Sequence, residues 1–133
     1  MKMVLWVLLA VVVVLGGYIR LAPSDPARWH VASQGTGRDL GGGVVRVIET
    51  GPDGLARLDA IVRQTPRTTV LAGSVGDGMV TYITRSRVFG FPDYTTVQQD
   101  GDTLRLHGRL RFGRRDFGVN RKRIEGWLAV LQS

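Results

Sequence analysis

Thr103-Leu104-Arg105-Leu106-His107-Gly108-Arg109-Leu110-Arg111-Phe112 alternates apolar and polar side chains more cleanly than any other part of this 133-residue chain. Leu104, Leu106, Leu110 and Phe112 fall on one face and Arg105, His107, Arg109 and Arg111 on the other, which predicts a strand whose leucine face belongs to a core. Asp100-Gly101, just before it, is a tight-hairpin pair, so Tyr94 to Gln99 becomes its antiparallel neighbour. Further out, Met79 to Arg87, Thr68 to Ala72 and Val44 to Glu49 read as strands separated by Gly- and Pro-containing turns. Leu55, Leu58 and Ile61/Val62 recur at helical spacing, predicting a helix from Gly54 to Gln64 stopped by Pro66. Ile124, Trp127, Leu128 and Leu131 predict a C-terminal helix with Asn120 as its N-cap. The fold class is therefore α+β: a mainly antiparallel sheet of about five strands with one inserted helix and a C-terminal helix, its apolar face covered by helices.

The chain begins differently. Met3 to Ile19 is an unbroken run of apolar residues and glycine. At 1.5 Å per residue it reaches about 25 Å, or about 30 Å with Leu21 and Ala22 included and Arg20 snorkelling, enough to cross a bilayer core. A cleaved secretory signal is the competing reading, but a cut after Ala22 would place Arg20 at a position that wants a small residue. Residues 1–22 are read as a transmembrane signal anchor, 23–43 as a Pro/Gly-rich linker and loop, and 44–133 as the folded domain. Two prolines in Ala22-Pro23-Ser24-Asp25-Pro26 should stop the helix and extend the chain, leaving Arg20 at the membrane interface and Trp29 either there or packed under the domain. Gln34 to Gly43 holds five glycines and reads as a flexible loop, without the Gly-Lys-Ser/Thr ending of a phosphate loop. Lys2 and the terminal amine nearly balance Arg20 and Arg28, so loop charge barely decides orientation. A two-residue tail before a long polar domain favours export, giving a single-pass protein of a bacterial inner membrane with its domain in the periplasm.

The formal net charge is +7, and it is unevenly distributed. Residues 21–100 hold eight Arg against eight acids, while residues 101–133 hold eight Lys/Arg against Asp102, Asp116 and Glu125. Arg prefers planar anions such as carboxylates and phosphates. The chain has no Cys and two His, His30 and His107, which excludes disulfides, thiol catalysis and paired-His metal motifs. No cofactor is implied.

One pattern is written twice. Arg85-Ser86-Arg87-Val88-Phe89-Gly90-Phe91-Pro92-Asp93-Tyr94 and Arg109-Leu110-Arg111-Phe112-Gly113-Arg114-Arg115-Asp116-Phe117 both read Arg-x-Arg, then Phe-Gly-x-x-Asp-aromatic, with Val88 extra in the first. The second copy runs into Gly118-Val119-Asn120-Arg121-Lys122-Arg123. On the functional reading, Arg85, Arg87, Asp93, Arg109, Arg111, Asp116 and Asn120 surround one polar pocket that grips an anion. On the plainer reading, the two Asp cap turns and the Arg pin strand ends. Arg121, Lys122 and Arg123 oppose the dipole of the helix they open unless an anion or acidic partner sits there.

These residues, and most strongly Arg109 to Trp127 with its FG-x-x-DFGVNRKR-x-E-x-W core, resemble the bacterial and plastid family catalogued as domain of unknown function 1499. The resemblance covers roughly the C-terminal half of the polar part of the chain. Arg114-Arg115 departs from it, standing where an aromatic and a small polar residue are expected. The resemblance implies kinship with uncharacterised membrane-anchored or exported proteins and assigns no chemistry.

The preferred reading is non-catalytic: an accessory subunit docking on a larger membrane complex or on anionic lipid. Arg109, Arg111, Arg121 and Arg123 would supply contacts, Asp93 and Asp116 would position them, and Trp29 would set the height over the bilayer. The alternative is a carrier or sensor for a small anionic ligand, using the duplicated motif as its pocket. A hydrolase would need Ser74 and His107 within hydrogen-bond reach, and Asp93 and Asp116 sit among too many arginines to hold an acid's raised pKa. Nucleic acid is not an expected partner, because the basic strand lacks interleaved aromatics and the domain is tethered.

Overall fold

The structure, a computed structural model, describes residues 1–33 and 37–133. Its elements are α1 (Lys2–Leu21), α2 (Pro26–Trp29), β1 (Arg38–Leu40), β2 (Gly43–Glu49), α3 (Gly54–Val62), β3 (Thr68–Ser74), β4 (Met79–Arg85), β5 (Pro92–Asp100), β6 (Thr103–Leu110) and α4 (Val119–Leu131). The strands form one antiparallel sheet in the order β1-β2-β6-β5-β4-β3. The expected α+β architecture is present, with six strands where about five were read. The extra one is β1, in the stretch read as a loop; residues 34–36 of that loop lie outside the described residues. Three residues suffice for β1 because β2 already offers an open edge to pair with.

The leucine alternation of β6 does what its period requires. Leu104 and Leu106 are fully buried with Val44, Val80, Tyr82 and Val97 from neighbouring strands, and α3 and α4 cover them with Leu55, Leu58, Ile124 and Trp127. Each such aliphatic side chain contributes about 1.5–3 kcal/mol. Polar tips at the edge of this core are paired: the Tyr82 hydroxyl donates to Asp59 at 2.6 Å and the Trp127 indole to Thr65 at 2.8 Å.

The opposite face of the sheet is covered as well. Ile83 and Tyr94 point there, and with Leu71 and Trp29 they form a second apolar cluster. The arm after α1 lies across it. Asp25 accepts the Ala27 backbone N–H, and Pro26 occupies the first position of the one-turn α2, where a missing N–H costs nothing. This corrects the extended linker: the second proline starts a helical turn. Trp29 stacks on Tyr94 with ring centroids 4.1 Å apart and is only 9% exposed. It therefore packs into the domain against an aromatic face of the sheet.

Gly108 lets α4 approach β6. A Cβ there would stand 2.8 Å from Ile124 Cδ1 and 3.1 Å from Asn120 Oδ1. Gly108→Ala is predicted to destabilise the domain by about 1–3 kcal/mol through overpacking, measured as a lowered denaturation midpoint. A variant as stable as the parent would mean that α4 does not pack this closely.

Candidate functional site

The duplicated motif is divided by the pleat of the sheet. In β4 and β6 the odd-numbered residues Arg85 and Arg109 face the arm, and Arg111 beyond β6 reaches the same side. In β5 the odd-numbered Asp93 faces α4. Arginines and carboxylates that look like partners in sequence are thus sent to opposite layers.

On the arm side the arginines take hold of backbone carbonyls. Arg85 donates to Ile19 O at 3.4 Å, in the last turn of α1, and to Gly90 O at 3.0 Å. Arg111 donates to Pro23 O at 3.0 Å and to the Tyr94 hydroxyl at 3.1 Å, while Ser24 shares that hydroxyl at 2.6 Å. Arg109 donates to Trp29 O, to Thr96 Oγ1 at 2.8 Å and to His107 O at 3.1 Å. In return Arg20 donates to Val88 O at 2.7 Å, in the loop of the first copy. Carbonyls at a helix end and in an irregular arm lack ladder partners, and cations supply donors there with favourable dipole alignment. Around this clasp the rings of Tyr18, Phe112, Phe91 and Phe89 follow one another at 6.0, 6.5 and 5.9 Å.

On the helix side the carboxylates organise α4. Asp116 accepts from the backbone N–H of Gly118 at 3.0 Å and of Asn120 at 3.1 Å, and from Asn120 Nδ2 at 2.8 Å. Those bonds hold its pKa below the ordinary carboxylate value against the opposing effect of burial. Asp116 therefore does the capping expected of Asn120. Gly118 enters the helix in a left-handed conformation, φ 80°, which draws Asn120 inside the first turn, fully buried. Asn120 Oδ1 accepts from Arg123 at 2.9 Å, and Arg123 also pairs with Asp93 at 3.3 Å. Asp39 of β1 stands 3.4 Å from Arg121 and 2.7 Å from Arg46. The acids that answer the misplaced cations of α4 thus come from this chain. Arg87, Arg114, Arg115 and Lys122 make no ion pair among the described residues and are exposed.

Between these layers lies an open cleft of about 460 Å³, lined by both copies through Phe91, Asp93, Phe112 and Asp116, together with Arg67 and Arg123. Asp93 is a correction. Burial raises its pKa in spite of Arg123, because the guanidinium is too weakly placed to offset the lost solvation. Of the seven residues expected around one pocket, Arg85, Asp93 and Asp116 line this cleft, whereas Arg87, Arg109, Arg111 and Asn120 do not; of the two helix arginines expected to make contacts, Arg123 lines it and Arg121 does not.

Ser74 and His107 do not meet. Ser74 ends β3 and accepts the Asp77 backbone N–H, whereas His107 lies in β6 with β4 and β5 between, about 14 Å away across the sheet. The surroundings of His107 escaped the sequence reading. A second recess of about 430 Å³ is lined by Arg28, Trp29, Arg38, His107 and Arg109. Burial, reinforced by Arg109 and Arg38, takes the His107 pKa from the ordinary 6.5 down to about 4. Burial likewise lowers Arg109 to about 10. Only the strand period hinted at this site, since Arg28 and Arg38 stand alone in loop-like sequence.

The family model described as Protein of unknown function (DUF1499) matches residues 23–131, from just after α1 to the last residue of α4. It therefore includes the Gly-rich half in which no resemblance was seen. No curated protein and no solved structure matches the chain.

Asp116→Ala is predicted to cost about 2 kcal/mol, because it removes the α4 cap and strands a buried Asn120 amide; urea denaturation measures it. His107 gives a pH signature. Its folded pKa of about 4 lies below its unfolded 6.5, so the unfolded state binds the extra proton and stability falls as pH drops through that window. The raised Asp93 works in the opposite direction, so the readout is the difference between parent and His107→Gln. The variant should lose less stability between those two pH values, and parallel curves would refute a neutral buried His107.

Proposed function

This chain belongs to the DUF1499 family, and we propose that its domain is a membrane-seated, non-catalytic docking module held against an anionic bilayer surface by the loops of the duplicated motif. α1 is long and apolar enough to cross a membrane. On this reading it does so as an uncleaved anchor in a bacterial inner membrane, with the domain on the periplasmic side.

The observation that carries the reading is the chemistry around the exit of α1. Loop 86–91 touches α1 through Val88 and Arg20, and it exposes Phe89, 57% accessible, beside the unpaired Arg87. The second loop contacts Tyr18 through Phe112 and exposes Phe117, 87% accessible, near Arg114 and Arg115. Exposed aromatics with free arginines at the polar end of a membrane helix match the headgroup region, where each Lys/Arg contributes about 1 kcal/mol toward anionic lipid. The contacts expected of Arg109, Arg111, Arg121 and Arg123 pass to Arg87, Arg114 and Arg115, because the first four are engaged within the chain. A larger membrane complex seated on the same loops is the competing partner. The cleft lined by both motif copies supports the second reading, a small-anion carrier, though its carboxylates Asp93 and Asp116 disfavour an anion there.

The Cys-free chain permits single spin labels. Phe89→Cys, Phe117→Cys and Asp77→Cys, the last in the β3–β4 turn, are each labelled in full-length protein in phosphatidylglycerol-containing nanodiscs. Labels at 89 and 117 are predicted to be more accessible to oxygen than to a polar nickel reagent, and the label at 77 the reverse. Labels at 89 and 117 as wet as that at 77 would sink the lipid-docking proposal. Immobilised labels that both reagents fail to reach, in native membranes only, would replace lipid by a protein partner.

A further inference from the structure

We propose that the recess between the arm and β6, lined by Arg28, Arg38, Arg109 and His107, is a binding site for a phosphate-class oxyanion. It is separate from the lipid-facing loops and from the cleft of the duplicated motif.

The charge of this recess is one-sided. Among the described residues its lining holds three arginines and a histidine and no carboxylate. The nearest acids of the two flanking segments are committed elsewhere: Asp39 pairs with Arg46 on the opposite side of the sheet, and Asp25 caps α2. Among the described residues the Arg28 side chain makes no hydrogen bond or ion pair and lies over the Trp29 ring at 4.7 Å, and the Arg38 side chain makes neither a hydrogen bond nor an ion pair. Arg109 is largely buried and has no acidic partner. It is held by Trp29 O, Thr96 Oγ1 and His107 O through its two terminal nitrogens, and its rings of contact are Trp29 at 5.6 Å and Tyr94 at 6.0 Å. A buried guanidinium bonded only to neutral oxygens is fixed in place while its charge stays uncompensated, which is costly unless a counter-anion arrives. Its remaining N–H groups are free to donate.

Both the size and the shape of the charge favour phosphate. A recess of about 430 Å³ falls in the range of small-ligand sites. Guanidinium forks match tetrahedral oxyanions with paired bonds, and three formal positive charges suit a dianion better than a monocarboxylate. His107, kept neutral by burial and by Arg109 and Arg38, adds a group able to donate or accept. Trp29, Val31 and Ala32 form an apolar wall, so a phosphate monoester with a small apolar body fits better than the bare ion. The oxyanion could be supplied by a soluble monoester or by a lipid headgroup.

Full-length protein in neutral detergent is titrated with phenyl phosphate, and in a second arm it is placed in nanodiscs of neutral or phosphatidylglycerol lipid, with melting temperature as the readout. The variant is Arg38→Gln, chosen because the Arg38 side chain makes no hydrogen bond or ion pair among the described residues. Phenyl phosphate at about 10 mM is expected to raise the parent's melting temperature by a few degrees and to leave Arg38→Gln unmoved, while the two melt alike without ligand. NMR of His107 should show its pKa moving upward as the dianion binds, which a merely structural recess would not produce. If the Arg38-dependent rise occurs only in anionic nanodiscs, the oxyanion is a headgroup. No rise in either arm, or an equal rise in the variant, overturns the site. The spin-label depths at 89 and 117 are independent of these outcomes, so failure here leaves the lipid-docking reading standing.

Discussion

Guanidinium groups donating to backbone carbonyls hold this molecule together at the place where helix becomes domain. The carbonyls of Ile19 and Trp29 close the last turns of α1 and α2, and that of Pro23 lies in the irregular stretch between them, so none has a ladder to join. Arg85, Arg111 and Arg109 reach them from the sheet. Hydrogen bonds from a charged donor are worth about 1.5–3 kcal/mol each, against which stands the cost of burying the charge. Arg109 meets that cost partly by lying over two aromatic rings. Without the clasp, Trp29 would leave Tyr94, and an aromatic sheet face would be open to water. α1 and the domain would then be joined only by the covalent chain of the arm.

The repeated motif is a repeat in sequence and not in structure. Its first copy spans the turn between β4 and β5, and its second runs from β6 into α4. Strand alternation places the arginines on the arm side in both, but Asp93 sits within a strand and Asp116 at a helix start. One carboxylate therefore pairs weakly with Arg123 while burial raises its pKa, and the other accepts three N–H bonds and is lowered. The same short pattern serves to join arm, sheet and helix at one end of the domain, next to α1.

Much of this was legible in the sequence, for reasons that explain what was not. The period of two in β6, the Asp100-Gly101 turn and the helical spacing of Leu55/Leu58 and Ile124/Leu128 are local, and each element appears close to its expected place. The covered second face was hidden because Tyr94 and Ile83 read as ordinary strand residues, and Trp29 gives no sign of what it stacks on. The α4 cap was misplaced by four residues because a glycine in left-handed conformation let Asp116 reach over Gly118. The charge cluster of Arg28, Arg38 and Arg109 is invisible along the chain, since three separate elements bring it together.

Arg109 belongs to both halves of the molecule's behaviour. One of its nitrogens holds the arm through Trp29 O, and the same guanidinium lines the recess beside His107. An anion in that recess would neutralise the buried charge and also require the arm, which supplies Arg28 and Trp29, to stay closed. Binding and arm closure must then be coupled by a single free energy, acting equally in both directions. The arm leads directly into α1, so a ligand in this recess would stiffen the joint between α1 and the domain. Occupancy of the recess would then be read as a change in how firmly α1 and the sheet are held together.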